Sequence, residues 1–384
     1  MNNRLLKTFL GAALAFSTAC VAMAEYAIPT VDLDARTDLQ VIVDQEKGQY
    51  LGHPSVVLLE DGQTMYCVYP RGHGRGPLIL KRSDDLGKTW SDRLPTPKSW
   101  ETSLETPHIY RLEDVQGKKR LLIWSGLYPL RSTISEDDGK TWTELAPVGN
   151  WGGIVALGSQ MKMKEPGHYM GFCHDDGRFI GPNGKVGYPA VFTVYSTETF
   201  DGGLTWSAPR AIRASSDYHI CEPGVVRSPD GKQIAMLLRE NSRRHNSQVI
   251  FSDDEGLTWS TPKDLPLELT GDRHTPIYTK DGRLYVSFRE ITPNSAPKEP
   301  TSGDWIAWVG TYEDLLKGGK GQYRIRLKDN KNPWDCAYPA TVLLPTGEIL
   351  DITYGHWQEN EPPYILGVRV NLDEIDKLVN KTKK

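Results

Sequence analysis

Two sets of ionisable or hydrogen-bonding side chains recur at equivalent places along this chain. The first is His53, Glu105, Glu222, His274 and Tyr338, each one or two residues ahead of a proline. The second is Arg71, His174 or Asp175, Arg239, Arg289 and His356, each closing the next hydrophobic run. The runs between them are mostly Val, Ile, Leu, Met and Tyr. Arginines at several such places imply an anionic ligand, because the guanidinium fork matches a carboxylate through two parallel hydrogen bonds. Glu105 and Glu222 could hold those arginines or move protons. The plainer alternative pairs each arginine only with a neighbour such as Glu240 or Glu290. That alternative has to account for Arg71, Arg239 and Arg289 together.

For these side chains to act jointly, a repeated element must bring them to one place. The sequence contains it. Ser83–Trp90, Ser135–Trp142 and Ser252–Trp259 share the pattern S-x-D-x-G-x-T-W, and Thr199–Trp206 is a variant with Thr in the leading place. The pattern suits a hairpin corner. The Asp carboxylate accepts backbone N–H groups across the turn, Gly allows a positive φ, and the Trp ring packs beneath. A second repeat runs out of phase with it: a strand, a two-residue D-G or T-G turn, and a second strand, beginning near His53, Glu105, Ile154, Glu222, His274 and Tyr338. Radially repeated strand-rich segments of roughly 50 to 65 residues describe a β-propeller. The expected fold is therefore all-β, a six-bladed propeller of four-stranded antiparallel blades. Leu39–Val43 is expected to close the last blade as its outer strand, Thr292–Ser302 to be a long loop, and Asn371–Lys384 to hold a short helix and a basic tail.

Within a propeller the innermost strands run beside the central axis. Both sets of polar residues then fall at the same end of that axis, which predicts one shared pocket there.

Bulk properties agree with an all-β chain. Its 384 residues hold 11 Trp, 17 Tyr, 36 Gly and 26 Pro, a mixture of strand-preferring aromatics and turn formers. The net charge of −4, with no long basic block, argues against a nucleic-acid partner. Arg4 and Lys7, an apolar stretch Thr8–Met23 and Ala22-Met23-Ala24 read as an export signal over residues 1–24, leaving 25–384 as one domain. The protein is then expected to be secreted or periplasmic. The stretch is short and rich in small residues for a membrane span, and no membrane-spanning segment is expected. Cys67, Cys173, Cys221 and Cys336 lie far apart. Export permits disulfides, and buried free thiols in strands are the alternative. No spacing calls for a metal or another cofactor.

With these repeats the chain resembles the sialidase (neuraminidase) superfamily, in which S-x-D-x-G-x-T-W is the Asp box. The resemblance covers most of residues 45–370 and implies a six-bladed propeller. It also implies a tyrosine nucleophile activated by a glutamate, an acid/base aspartate, and three arginines gripping a substrate carboxylate. Tyr338, in Ala337-Tyr338-Pro339-Ala340, resembles the nucleophile. Glu222, in Cys221-Glu222-Pro223-Gly224, resembles its partner, and Arg239 the second arginine. The family's first-blade arginine is absent from Leu51-Gly52-His53-Pro54, where Arg71 or Arg75 could stand in. Arg289, with Arg273 behind it, is the choice for the third. The segment Arg71–Pro77 has no carboxylate, so the acid/base role passes to His53 or His73, or to Glu105. Glu105, His274 and His356 complete the expected substrate-binding set. The implied function is an exo-acting glycoside hydrolase, cleaving sialic acid or another carboxylated sugar from a glycan. The alternatives are a polysaccharide lyase acting on uronic-acid glycans and a non-catalytic glycan-binding propeller.

Overall fold

The computed structural model describes residues 26–180, 191–215, 217–332 and 334–382. The expected export signal lies outside the described residues. Six antiparallel sheets form in chain order, and each begins with the strand that the second repeat marks. Their innermost strands are Ser55–Leu58, His108–Glu113, Ile154–Lys162, Ile220–Arg227, Gly271–Tyr278 and Ala340–Leu343. Blades 2, 3, 4 and 6 have four strands, and blade 1 has three. Blade 5 has a fifth, Thr30–Asp32, which pairs in parallel with Tyr323–Lys328. Gln40–Asp44 is the outer strand of blade 6, so the chain's two ends close the ring together.

There is no single core. Each of six apolar clusters lies between two neighbouring blades. The strand Met65–Pro70 shows how the sequence does this. Side chains alternate faces along a strand. Met65, Cys67 and Tyr69 therefore pack against blade 6, and Tyr66 and Val68 against blade 2. A strand buried on both faces reads as an unbroken apolar run. All four cysteines outside the expected signal are buried free thiols.

The Asp boxes are corner clamps. In blade 1 Asp85 accepts from the Thr89 N–H at 2.9 Å and the Thr89 hydroxyl at 2.7 Å. Ser83 Oγ donates to Asp85 at 2.8 Å and accepts from the Gly87 N–H at 2.8 Å. The variant box repeats this, with Thr199 Oγ1 accepting from the Gly203 N–H at 3.0 Å. Each corner also meets the preceding blade: Tyr66 of blade 1, for example, donates to the Asp138 carbonyl in the blade 2 box. Blade 5 has no Asp box. A helix, Tyr312–Lys317, fills that place, begun by a Thr311–Asp314 capping box and ended by Gly318 at φ 70°. The sequence reading had not anticipated it. The expected C-terminal helix is present as Leu372–Thr382, and residues 292–300 carry no strand or helix.

Two glycine substitutions separate backbone strain from collision. Gly282 (φ 85°) has no atom within 4 Å of an added Cβ, whereas at Gly139 (φ 86°) that Cβ would meet the Tyr66 ring at 2.5 Å. Gly282→Ala is expected to cost about 1 kcal/mol, from left-handed backbone alone. Gly139→Ala should cost about 2–4 kcal/mol, because a buried ring must also move. Urea unfolding of both variants checks the order, and equal losses would contradict it.

Candidate active site

The innermost strands begin with a shared distortion. His53, Glu222, Arg273 and Ala337 have positive φ, between 50° and 56°, as does Val155 at 46°. Non-glycine residues rarely adopt this backbone, and it costs about 1–3 kcal/mol. In blades 3, 4 and 5 the register with the second strand slips at this point. An extra residue of this kind re-aims a side chain, and here the new direction is toward the axis. Cys221 pairs with Arg239 and Asp272 pairs with Arg289. Glu222 and Arg273 thus hold the same place in neighbouring blades.

At this end of the axis lies a cavity of about 250 Å³, lined by His53, His73, Arg75, Glu105, Arg178, Glu222 and Tyr338 among others. Tyr338 Oη donates a short hydrogen bond to Glu222 Oε1. Arg239 Nη1 donates to the same oxygen at 2.7 Å, while Glu222 Oε2 is buried without a partner. Burial, and then the Glu222 charge, raise the Tyr338 hydroxyl well above its ordinary pKa of 10. Burial also pushes Glu222 upward, but Arg239 and the Tyr338 hydroxyl outweigh it and hold the carboxyl below its usual range. The pair is therefore a protonated phenol donating to an ionised carboxylate.

Behind this pair sits Asp272, which is 0% exposed. Three guanidiniums converge on it: Arg239 at 3.2 Å, Arg243 at 2.6 Å and Arg289 at 2.6 Å. Burial opposes its ionisation, but Arg239, Arg289 and Arg243 together hold it far below the ordinary carboxylate range. Counting Glu222, three cations face two anions, and one positive charge is left over.

The other expected residues divide. His53 packs edge-on to Tyr338, with ring centres 4.6 Å apart. Its Nδ1 accepts from the Gly74 N–H at 3.1 Å and its Nε2 lies 3.2 Å from Tyr354 Oη. Burial, then His73, push its pKa well below 6.5, so this imidazole is neutral with both nitrogens engaged. Glu105 lines the cavity and accepts from the Thr106 and Val155 N–H groups at 3.0 and 3.2 Å. Burial nevertheless raises its pKa. His73, at the rim, meets Tyr50 and lies 3.4 Å from Asp335, which His356 also reaches at 3.1 Å. His174 Nδ1 accepts from the Glu222 N–H at 3.4 Å, and burial lowers its pKa to about 4. Asp175 accepts the N–H groups of Gly177, Phe179 and Ile180.

Three expectations change. Arg71 points outward into an ion pair with Glu46 and does not line the cavity, because the chain turns at Gly72–Gly76. Arg75 lines it instead. Arg289 is buried and engaged with Asp272 and the carbonyls of Trp334 and Cys336, and it is not among the cavity-lining residues. His274 is fully buried, stacked on Phe288 and bonded to the Leu269 carbonyl. By strand register Arg273 corresponds to Glu222 and His274 to Pro223, so the axial place belongs to Arg273. Asp272, Asp335, Tyr50, Tyr354 and Arg243 were not singled out from sequence. The nearest signals were the acidic residues directly ahead of two blade starts, in Asp272-Arg273 and Asp335-Cys336.

A BNR repeat-like domain profile matches residues 116–349, more than half of the chain. No curated protein matches in sequence. Among solved structures, a protein of unknown function from Dyadobacter fermentans is similar at 16% identity and a TM-score of 0.65, covering 86% of this chain and 97% of that one. The NanB sialidase of Streptococcus pneumoniae is similar at 13% identity and 0.60, covering 88% and 71%. The intramolecular trans-sialidase of Ruminococcus gnavus is similar at 14% and 0.56, covering 85% and 95%. Identities this low speak for the fold alone.

Asp272→Asn removes the buried anion that three arginines share. Unfolding free energy at pH 7 should fall by about 3–5 kcal/mol, the usual loss when one partner of a buried ion cluster goes. The folded pKa of Asp272 lies below its unfolded value of about 3.9. Its contribution is thus complete above that pH and fades as pH drops below it. Urea titrations across pH should show parent and variant converging only at the acidic end.

Proposed function

The chain belongs to the BNR repeat-like domain family, and from that premise we propose that it is an exo-acting glycoside hydrolase that removes a terminal carboxylated sugar from a glycan. The observation that carries this reading is the buried contact of the Tyr338 hydroxyl with the ionised, arginine-paired Glu222 carboxylate at the cavity wall. A tyrosine suits an anionic sugar, since the phenol is neutral until its proton leaves. Tyrosine nucleophiles are a recognised exception among glycosidases.

In the first step Tyr338 Oη bonds to the anomeric carbon and the glycosidic C–O bond breaks. The phenol proton passes to Glu222, and an acid protonates the departing oxygen. Glu105 fits that acid better than His53, because burial favours its protonated form while His53 is neutral with both nitrogens engaged. In the second step water attacks the anomeric carbon and its bond to Tyr338 Oη breaks; Glu105 takes the water's proton, and Glu222 returns the proton to the departing phenolate. His53 holds the Tyr338 ring. Arg75 and Arg178 are the cations on the cavity wall and are assigned to the substrate carboxylate, with the surplus charge beside Asp272 behind them. The export signal expected over residues 1–24 supports a working place outside the cytoplasm.

A lyase reading is retained for one reason. His53 packs edge-on to Tyr338 with ring centres 4.6 Å apart while the 71–77 segment holds no carboxylate, an arrangement that also suits proton abstraction beside a uronate. Lyase action produces an unsaturated sugar absorbing in the near ultraviolet, and hydrolysis does not.

On a panel of acidic glycosides, Tyr338→Phe should lose at least about 10³-fold in kcat and Arg239→Ala about 10²-fold. Undiminished turnover in Tyr338→Phe would remove the nucleophile assignment. The pH profile of kcat/KM should be bell-shaped. Its acid limb reports protonation of Glu222, and its alkaline limb loss of the Glu105 proton at a pKa above the ordinary carboxyl value. Glu105→Gln should abolish the alkaline limb, and should lose far less rate with a phenolic leaving group that needs no protonation.

A further inference from the structure

Below the cavity the axis continues as a channel of about 330 Å³ between the six innermost strands, and Tyr338 lines both spaces. Its walls carry two guanidiniums, Arg273 and Arg111, and no carboxylate. Arg111 is paired with Glu60 and Asp138. Arg273 is different. It is 5% exposed. Its Nη2 donates to the Gly158 carbonyl and lies 3.1 Å from His108 Nε2, and its Nε has no hydrogen-bond partner. A guanidinium cannot accept a hydrogen bond, so His108 Nε2 is the acceptor in this contact. Arg239, Arg243 and Arg289 all meet a carboxylate. A guanidinium carries a full positive charge in proteins, and among the described residues no carboxylate lines the channel beside Arg273. A buried charge of this kind is costly unless something compensates it.

The neighbouring groups are built to complete the compensation. Ser55 Oγ accepts from the Ile109 N–H and Ser159 Oγ from the Val225 N–H, both at 3.1 Å. Each hydroxyl therefore retains a proton to donate into the channel. Arg273 also occupies the left-handed position, φ 56°, that aims Glu222 at the axis one blade earlier. Strained backbone thus places a cation on the wall of a channel that Ser55 and Ser159 also line.

We propose that the axial channel binds a small monovalent anion, of halide or carboxylate size, held by the Arg273 guanidinium with Ser55 and Ser159 donating. Two sources share this chemistry: a free inorganic anion, and the carboxylate of a sugar reaching down past Tyr338. The site stands whether or not the chain is a glycosidase.

The test is thermal unfolding of the whole protein in halide-free buffer, titrated separately with sodium bromide and sodium glucuronate, with ionic strength held by bulky morpholinoethanesulfonate. The parent should gain a saturable rise of a few degrees. Arg273→Met should show none, and without the anion it should melt no lower than the parent because it lacks the buried charge. Arg273→Lys, which keeps the charge, should retain a weaker response. A response to bromide identifies a free ion as the source, and a response to glucuronate alone identifies the sugar carboxylate. Bromide-soaked crystals of the parent should show anomalous density against Arg273 if the ion is free. Equal shifts in parent and Arg273→Met, or no shift with either anion, would overturn the proposal. Melting is read without turnover, so an inactive protein leaves this site standing, and loss of the site leaves the glycosidase reading standing.

Discussion

A carboxylate buried in a protein stays ionised only if a counter-charge is built around it. The end of this propeller is organised by that constraint. Glu222 is the carboxylate, and Arg239 is its first compensation. Arg239 in turn needs Asp272, and Asp272 collects Arg243 and Arg289 from the adjoining strand ends. The chain of charges runs through blades 4 and 5 and ends beneath Tyr338 of blade 6, with the Arg289 guanidinium 5.9 Å from the Tyr338 ring centre. Removing any member leaves another exposed to the cost of burial. The hydrogen bond from Tyr338 to Glu222 is where this network meets the cavity.

What holds the network in place is the six-fold repetition of one interface. Each blade presents one face to its predecessor and one to its successor, so every strand near the axis is clamped on both sides. A clamped strand can sustain left-handed residues at its start, because neighbouring packing over-determines them. The strain at His53, Glu222, Arg273 and Ala337 is thus tolerated by the same packing that fixes the distances between their side chains.

Much of this was legible in the sequence, for a physical reason. The Asp box and the proline-led strand are local patterns, and a propeller repeats local patterns around an axis. Blade number, hairpins, the closing strand and the convergence of Glu222, Tyr338, His53 and Glu105 all follow from local rules plus rotation. The misreadings mark where local rules end. The proline offset misleads at His274: the strand registers of blades 4 and 5 equate Arg273 with Glu222 and His274 with Pro223, and a bulge leaves no trace in hydrophobic alternation. Arg71 was placed in the pocket because nothing nearby in sequence marks Glu46 as its partner. Asp335 gave no sign of its importance because Tyr50, one of its partners, lies 285 positions away. Asp272 was missed because one buried acid between glycine and arginine looks like any turn residue until the three arginines around it are seen.

The central claim is that Tyr338, with Glu222 as its base, carries the sugar through a covalent intermediate. It is tested most directly by intact-protein and peptide mass spectrometry after rapid quenching with a slow, activated, fluorinated acidic glycoside. The account predicts one added glycosyl mass, located on the peptide containing Tyr338, forming quickly in the parent and much more slowly in Glu222→Gln. Steady turnover of the same compound with no adduct at Tyr338, or with the sugar bonded to another residue, would contradict it.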